Sequence, residues 1–215
     1  SAELAANLGS ADRWVRHFSA RLLAERPAEA AVPALRGVLR SGASDVAKKE
    51  ALGLLEAHGA TRVEDVAVLA ASSEAGARAF AATVSRNLPQ LAKLAADPHP
   101  RVRLQAMVAC SYVESEPAAA VEVALSAVDH GTDKFADYAL DQVVHALKPA
   151  WLPALRAGRL TFDGKAARLA RFVRADGTAD TVDALRSLLQ APATEAASRE
   201  AFLDILCQHF GLHGA

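Results

Sequence analysis

Apolar positions recur at helical spacing along almost the whole chain. In the stretch 101–114, Val102, Ala106, Ala109 and Val113 fall on one face at 100° per residue, and Leu104, Val108 and Tyr112 on a second. A narrow stripe of Arg103, Cys110 and Glu114 is left for solvent. A helix apolar on two sides has neighbours on both, as an inner layer of a stack does. Proline suits a helix start and disrupts a helix interior, so Asp97-Pro-His-Pro100 starts this helix near Pro100. Asp97 is expected to cap it and Arg101 and Arg103 to pair with carboxylates of adjacent units, a recognition patch of the three being the alternative.

The rest of the chain is punctuated in the same way. Gly9 stops a short lead-in from Glu3 to Leu8, and Ser10 or Asp12 caps a helix over 13–25. Further helices are expected at 30–39, 46–57, 62–71, 74–88, 89–96, 117–128, 134–147, 151–157, 165–174, 180–189 and 193–210. Pro149 closes the helix before it, and Arg159 to Gly164 forms a turn. Alternate helices align on Val15, Ala47, Ala77, Val102, Ala136, Ala167 and Ser198, a period of about 31 residues. Two helices at that period predict an all-α fold: a right-handed α-α superhelix, or solenoid, of about six to seven two-helix repeats forming one domain over 1–215.

Composition narrows the class. Hydrophobic residues make up 52% of the chain and aromatics only 5%, so Ala, Leu and Val do the packing, and Ile205 is the one isoleucine. Close-packed helices suit that mixture better than a β-sandwich. The charge balance of 24 Lys and Arg against 25 Asp and Glu, net −1, lacks the basic excess of a typical nucleic-acid binder. Cys110 and Cys207 stand far apart with no CxxC, CxxCH or Cys/His ligand spacing, so no metal or cofactor is expected. No apolar run reaches the roughly 18–20 residues of a membrane span.

Candidate chemistry is sparse. Asp133, Asp137 and Asp141 repeat every four residues with Lys134, Tyr138 and Gln142 among them, the densest polar set in the chain. Paired carboxylates serve acid–base chemistry or hold hard cations, but nothing in the sequence supplies a pocket that would raise an acid's pKa. A solvated concave face that docks a protein partner is the favoured reading, with Asp133, Asp137, Tyr138, Asp141, Arg103 and Arg16 as its residues. Trp14, beside Val15, is expected to be buried against the lead-in helix, an exposed stacking platform being the alternative. His209 and His213 with Cys207 superficially suggest ligands, but Gly211 and Gly214 mark a fraying helix end. No Ser-His-Asp order, phosphate loop or HExxH is present, so catalysis has no support in the sequence.

Two strings carry a family resemblance. Asp97-Pro-His-Pro-Arg-Val-Arg-Leu-Gln-Ala106 resembles the HEAT-repeat pattern in which Asp, Pro and Val-Arg introduce the inner helix, and Ala11-Asp-Arg-Trp-Val-Arg16 is similar. With the strings 133–140, 147–155 and 158–164, the order resembles the HEAT region of PVC-type haem-binding, putative membrane-bound dehydrogenase proteins of planctomycetes and verrucomicrobia. In that family a propeller precedes the HEAT region and a c-type cytochrome domain follows it. The resemblance implies a non-catalytic scaffold or spacer, excised from a larger chain, that contacts protein or neighbouring domains; a monomer is expected. It implies an extracytoplasmic location; without it a cytoplasmic one is expected. It carries over no haem, quinone or calcium site, because neither flanking domain is in this chain. The alternatives are a nucleic-acid-binding HEAT-like domain of the DNA-glycosylase kind, built on Arg13, Arg16, Trp14, Arg101 and Arg103, and an enzyme like the HEAT-like bilin lyases.

Overall fold

The computed structural model describes residues 1–190 and 196–210, and among these the regular elements are all helical. In order they are α1 (Ala2–Ala6), α2 (Arg13–Ala24), α3 (Ala28–Arg40), α4 (Asp45–Ala57), α5 (Val63–Ala70), α6 (Ala75–Val84) and α7 (Leu88–Ala95). Then follow α8 (Pro100–Cys110), α9 (Pro117–Ser126), α10 (Lys134–Ala146), α11 (Lys148–Arg156), α12 (Ala166–Ala175), α13 (Ala179–Gln190) and α14 (Ala196–Phe210). Short 3₁₀ turns occupy Asn7–Gly9, Ala127–His130 and Phe162–Gly164.

Packing sorts these helices into two rows. Each even-numbered helix from α2 to α14 packs on the next even one, while α1, α3 and α5, and then α7, α9, α11 and α13, pack in succession beside them. The reason lies in a repeated burial register. Counting from the cap, the third, seventh, tenth and eleventh positions are buried in four successive even helices. They are Ala47, Ala51, Leu54 and Leu55 in α4, and Ala77, Ala81 and Val84 in α6 with Ser85 just beyond its end. In α8 they are Val102, Ala106, Ala109 and Cys110, and in α10 Ala136, Leu140, Val143 and Val144. The expected anchors Val15, Ala47, Ala77, Val102 and Ala136 are each the third residue of their helix; in α12 that place belongs to Arg168, one beyond Ala167.

A shared device fixes the entry to three even helices. The caps are Asp12, Glu74 and His99, which accept N–H bonds from the first turn as N-caps do. Four residues after each cap an arginine folds back onto the two carbonyls before the cap. Arg16 bonds Ser10 and Ala11, Arg78 bonds Ser72 and Ser73, and Arg103 bonds Asp97 and Pro98. These carbonyls would otherwise lack partners at a turn, so the clasp satisfies them and stiffens the loop.

Ion pairs join elements distant in sequence. Arg36 meets Asp65 at 3.2 Å, Arg78 meets Asp97 at 2.7 Å, and Lys148 meets Asp176 at 2.8 Å. The apolar core forms two clusters that meet at α6, with Ala77, Ala81 and Val84 in the first and Ala79 and Ala82 in the second. Small side chains on both flanks let α6 serve both clusters.

Several expectations need correction. Cys110 is not on a solvent stripe: it occupies the buried eleventh position, while Val108 and Tyr112 are exposed. Asp97 does not cap α8, since His99 does; Asp97 instead accepts a hydrogen bond from the His99 N–H and a two-pronged contact from Arg78. Arg103 satisfies carbonyls rather than carboxylates. The 74–88 helix ends at Val84, where Ser85 and Arg86 lead to the Asn87 cap of α7. Pro149 is the second residue of α11, not the end of α10. In the 159–164 turn, Phe162 is buried at φ 53°, a strained region for a residue with a Cβ. Glu122 offsets that strain by accepting the Thr161 and Phe162 N–H groups, both at 2.7 Å.

Candidate interaction face

The even row gathers the exposed apolar side chains. Among the described residues, every exposed large hydrophobic except Val63 of α5 lies on an even helix or, for Tyr112, in the turn closing α8. They include Trp14, Phe18 and Leu22 on α2, Val46 on α4, and Phe135 and Tyr138 on α10. Trp14 is 67% exposed, contrary to the expected burial; its ring centre lies 6.2 Å from that of Phe18. Phe135 carries the Lys134 ammonium 5.1 Å above its ring, and Arg86 sits 5.4 Å from the Tyr112 ring centre.

The six residues expected to form a docking patch take different places. Asp133 caps α10, accepting the Phe135 and Ala136 N–H groups at 2.9 Å. Asp137 and Asp141 face α12, where Arg171 reaches Asp137 at 3.1 Å and Asp141 at 2.8 Å. Arg171 is only 6% exposed, so the contact is an internal clamp between α10 and α12, with its Nη1 left without a partner. Asp137 and Asp141 thus share an internal counter-charge while each keeps about a third or more of its side chain exposed. Arg16 and Arg103 are engaged by their loop carbonyls, and Arg103 also reaches the carbonyls of His130 and Gly131 at 3.3 and 3.4 Å. Tyr138, 66% exposed, projects from the row. The sequence reading missed Phe18 and Phe135, for which the signal was a spacing of four from Trp14 and of three from Tyr138, and it set the exposed Tyr112 on an apolar packing face.

The electrostatics favour structure over proton transfer. Hydrogen bonding from Arg168 against the cost of burial, aided by Lys165, holds the Asp129 carboxyl down at about 2. For Asp97, burial is the largest influence and pushes upward, but Arg78 and the His99 N–H together bring the net shift below the usual carboxylate range. Glu74 is lowered mainly by the Gly76 N–H. Each of these acids is held ionised, the opposite of a poised general acid. Burial pushes the Cys110 thiol up to about 12, so it carries almost no thiolate at neutral pH. In a Cys207→Ser background, Cys110 should stay unalkylated by iodoacetamide at pH 8 until urea unfolds the protein, as read by mass spectrometry. Labelling of the folded protein at the rate of the unfolded one would contradict its burial.

Among the described residues no three His, Cys, Asp or Glu side chains converge as metal ligands. Of the terminal histidine pair, His213 lies outside the described residues. Among the described residues no helix is long and apolar enough to cross a membrane. Neither a family model nor a curated protein matches the chain.

Proposed function

We propose that this chain is a non-catalytic scaffold, a right-handed α-α superhelix of seven HEAT-like two-helix units, that binds protein through its even row. The observation that carries the reading is the segregation of exposed aromatic and aliphatic side chains to that row. Aromatic anchors with a polar surround are typical of protein interfaces, and stacked inner helices offer them as one extended surface. Nucleic-acid binding draws less support, because Arg16 and Arg103 are held by loop carbonyls and net charge is −1. If the resemblance to the PVC-type dehydrogenases holds, the first partners to try are the neighbouring propeller and cytochrome domains.

A photo-crosslinking amino acid at Tyr138 tests the reading against one at Lys93, an exposed position on α7 in the other row. Protein adducts in source cells are expected at Tyr138 and not at Lys93. Adducts dominated by nucleic acid, or equal yields at both positions, would overturn it.

A further inference from the structure

The row beside the even helices is interrupted in its middle. α3 packs on α5 and α7 on α9, but α7 leans on α8 and α9 and leaves a cleft towards α5. Into this cleft α5 turns Val63, Ala67, Ala70 and Ala71, an i, i+4, i+7, i+8 stripe that is exposed or half-buried. Leu94 of α7 lies opposite, and the apolar chamber so formed is about 400 Å³ in volume. A second chamber of about 290 Å³ adjoins it, the two sharing Val63, Asn87 and Gln90 as walls. The larger alone falls in the range of small-molecule sites, about 300–1,000 Å³.

The smaller chamber gathers hydrogen-bond donors that lack an acceptor. The Thr61 hydroxyl is buried and has no partner among the described residues. Arg86 donates to the Thr83 and Ser85 carbonyls at 2.9 Å, and among the described residues neither it nor Arg62 forms an ion pair. Asn87 and Gln90 use their side-chain oxygens locally, accepting from the Gln90 N–H and the Ser85 hydroxyl, so their amide N–H groups are left over. Glu56, the acid on this wall, is exposed. Such a set of donors is complementary to an anion. At the far end of the cleft Lys93 shares the apolar chamber with Asp97, a carboxylate held ionised by Arg78, which opposes a second negative charge there.

We propose that the cleft binds a free fatty acid of medium chain length. Its carboxylate sits among Thr61, Arg62, Arg86 and Asn87, and its tail runs along α5. The eight residues of α5 rise about 12 Å, the reach of a chain of about ten carbons. The tail covers apolar side chains that water otherwise wets, and the carboxylate supplies the acceptor that the Thr61 hydroxyl lacks. Neither end of the cleft works alone: the donors select the charge, and the stripe selects the chain.

Isothermal titration of the whole chain with decanoate, kept below its micelle concentration, tests the proposal. One saturable site is expected, with butyrate and decanol each at least about tenfold weaker. Ala67→Trp fills the cleft from an exposed position, so it should abolish binding and leave the circular dichroism unchanged. Thr61→Val removes a hydroxyl without a partner, so Tm should hold or rise while decanoate binds about threefold more weakly. A merely structural hydroxyl would give no such loss. Arg62→Gln should weaken decanoate about tenfold and leave decanol unaffected. Absent or non-saturable binding, equal affinity for decanol, or unchanged binding by the Ala67→Trp protein would overturn the proposal. A loss caused by Lys93→Gln and not by Arg62→Gln would overturn it too, by placing the carboxylate at the other end.

Discussion

Trp151→Ala should cost about 3–5 kcal/mol of stability, the range for deleting a large buried aromatic side chain. Trp151 is fully buried in the second core cluster, its indole N–H donating to the Val144 carbonyl at 2.6 Å. Its ring meets Phe172 edge-on at 4.7 Å, and Phe172 in turn lies 5.1 Å from Phe162, so one substitution opens a cavity across α11, α12 and the Phe162 turn. Trp151→Phe keeps most of the apolar volume and should lose about 1–2 kcal/mol, chiefly the hydrogen bond and the unfilled ring space. Because the first cluster, from Ala5 to Val84, has its own buried side chains, the damage should fall unevenly. Urea unfolding followed by circular dichroism should separate into two transitions in the alanine variant, the earlier one belonging to residues beyond α8. A single transition at the parent midpoint would show that the aromatic cluster does not hold the second half together.

That division at α6 was hard to read in advance, for a physical reason. The chain marks its turns with residues whose backbone preferences are strong: Asp12, Ser44 and Asp133 cap helices, and Gly59, Gly131 and Gly158 take positive φ at stops. Helix content follows from those signals. Which face of a helix points inward follows from contrast between large apolar and polar side chains, and here contrast is poor. In α6 alanines lie on more than one flank, and in α8 Met107 and Cys110 are buried beside Ala106 and Ala109, so a rotation of one position changes little in the pattern and everything in the packing. Cys110 and Tyr112 exchanged their expected environments for that reason. Trp14 was misplaced for another: a large apolar residue is usually inside, and that rule gives no warning of an exposed one. The ion pairing of the acidic repeat of α10 was not legible because its counter-charge, Arg171, comes from α12 and is invisible to local spacing.

Asp129→Ala should destabilise by about 2–3 kcal/mol, since it strips a charge partner from a guanidinium with little access to water. Arg168 is buried between Asp129, which it meets at 2.6 Å, and Asp163, while Lys165 also binds Asp129. Asp163 remains in the variant but is mostly exposed, so it compensates only in part. Replacing both partners, as Asp129→Ala with Arg168→Met, should recover some of the loss by removing the stranded charge. The same contact predicts an acid response. Asp129 has its folded pKa lowered to about 2, below the roughly 3.9 of an unfolded aspartate, so the unfolded chain binds the proton first as pH falls. Its contribution is fully present above pH of about 4 and is lost progressively as pH falls toward about 2. Allowing for solvent screening of a carboxylate that is about a quarter exposed, that contribution is about 1–2 kcal/mol. Asp97 is lowered as well, so Asp129→Ala should make the acid slope shallower without abolishing it. Urea midpoints of the two proteins at pH 7, 5, 4 and 3 measure this directly. The curves should converge toward the acid end, and curves that stay parallel throughout would show that the Asp129–Arg168 contact contributes nothing to folding.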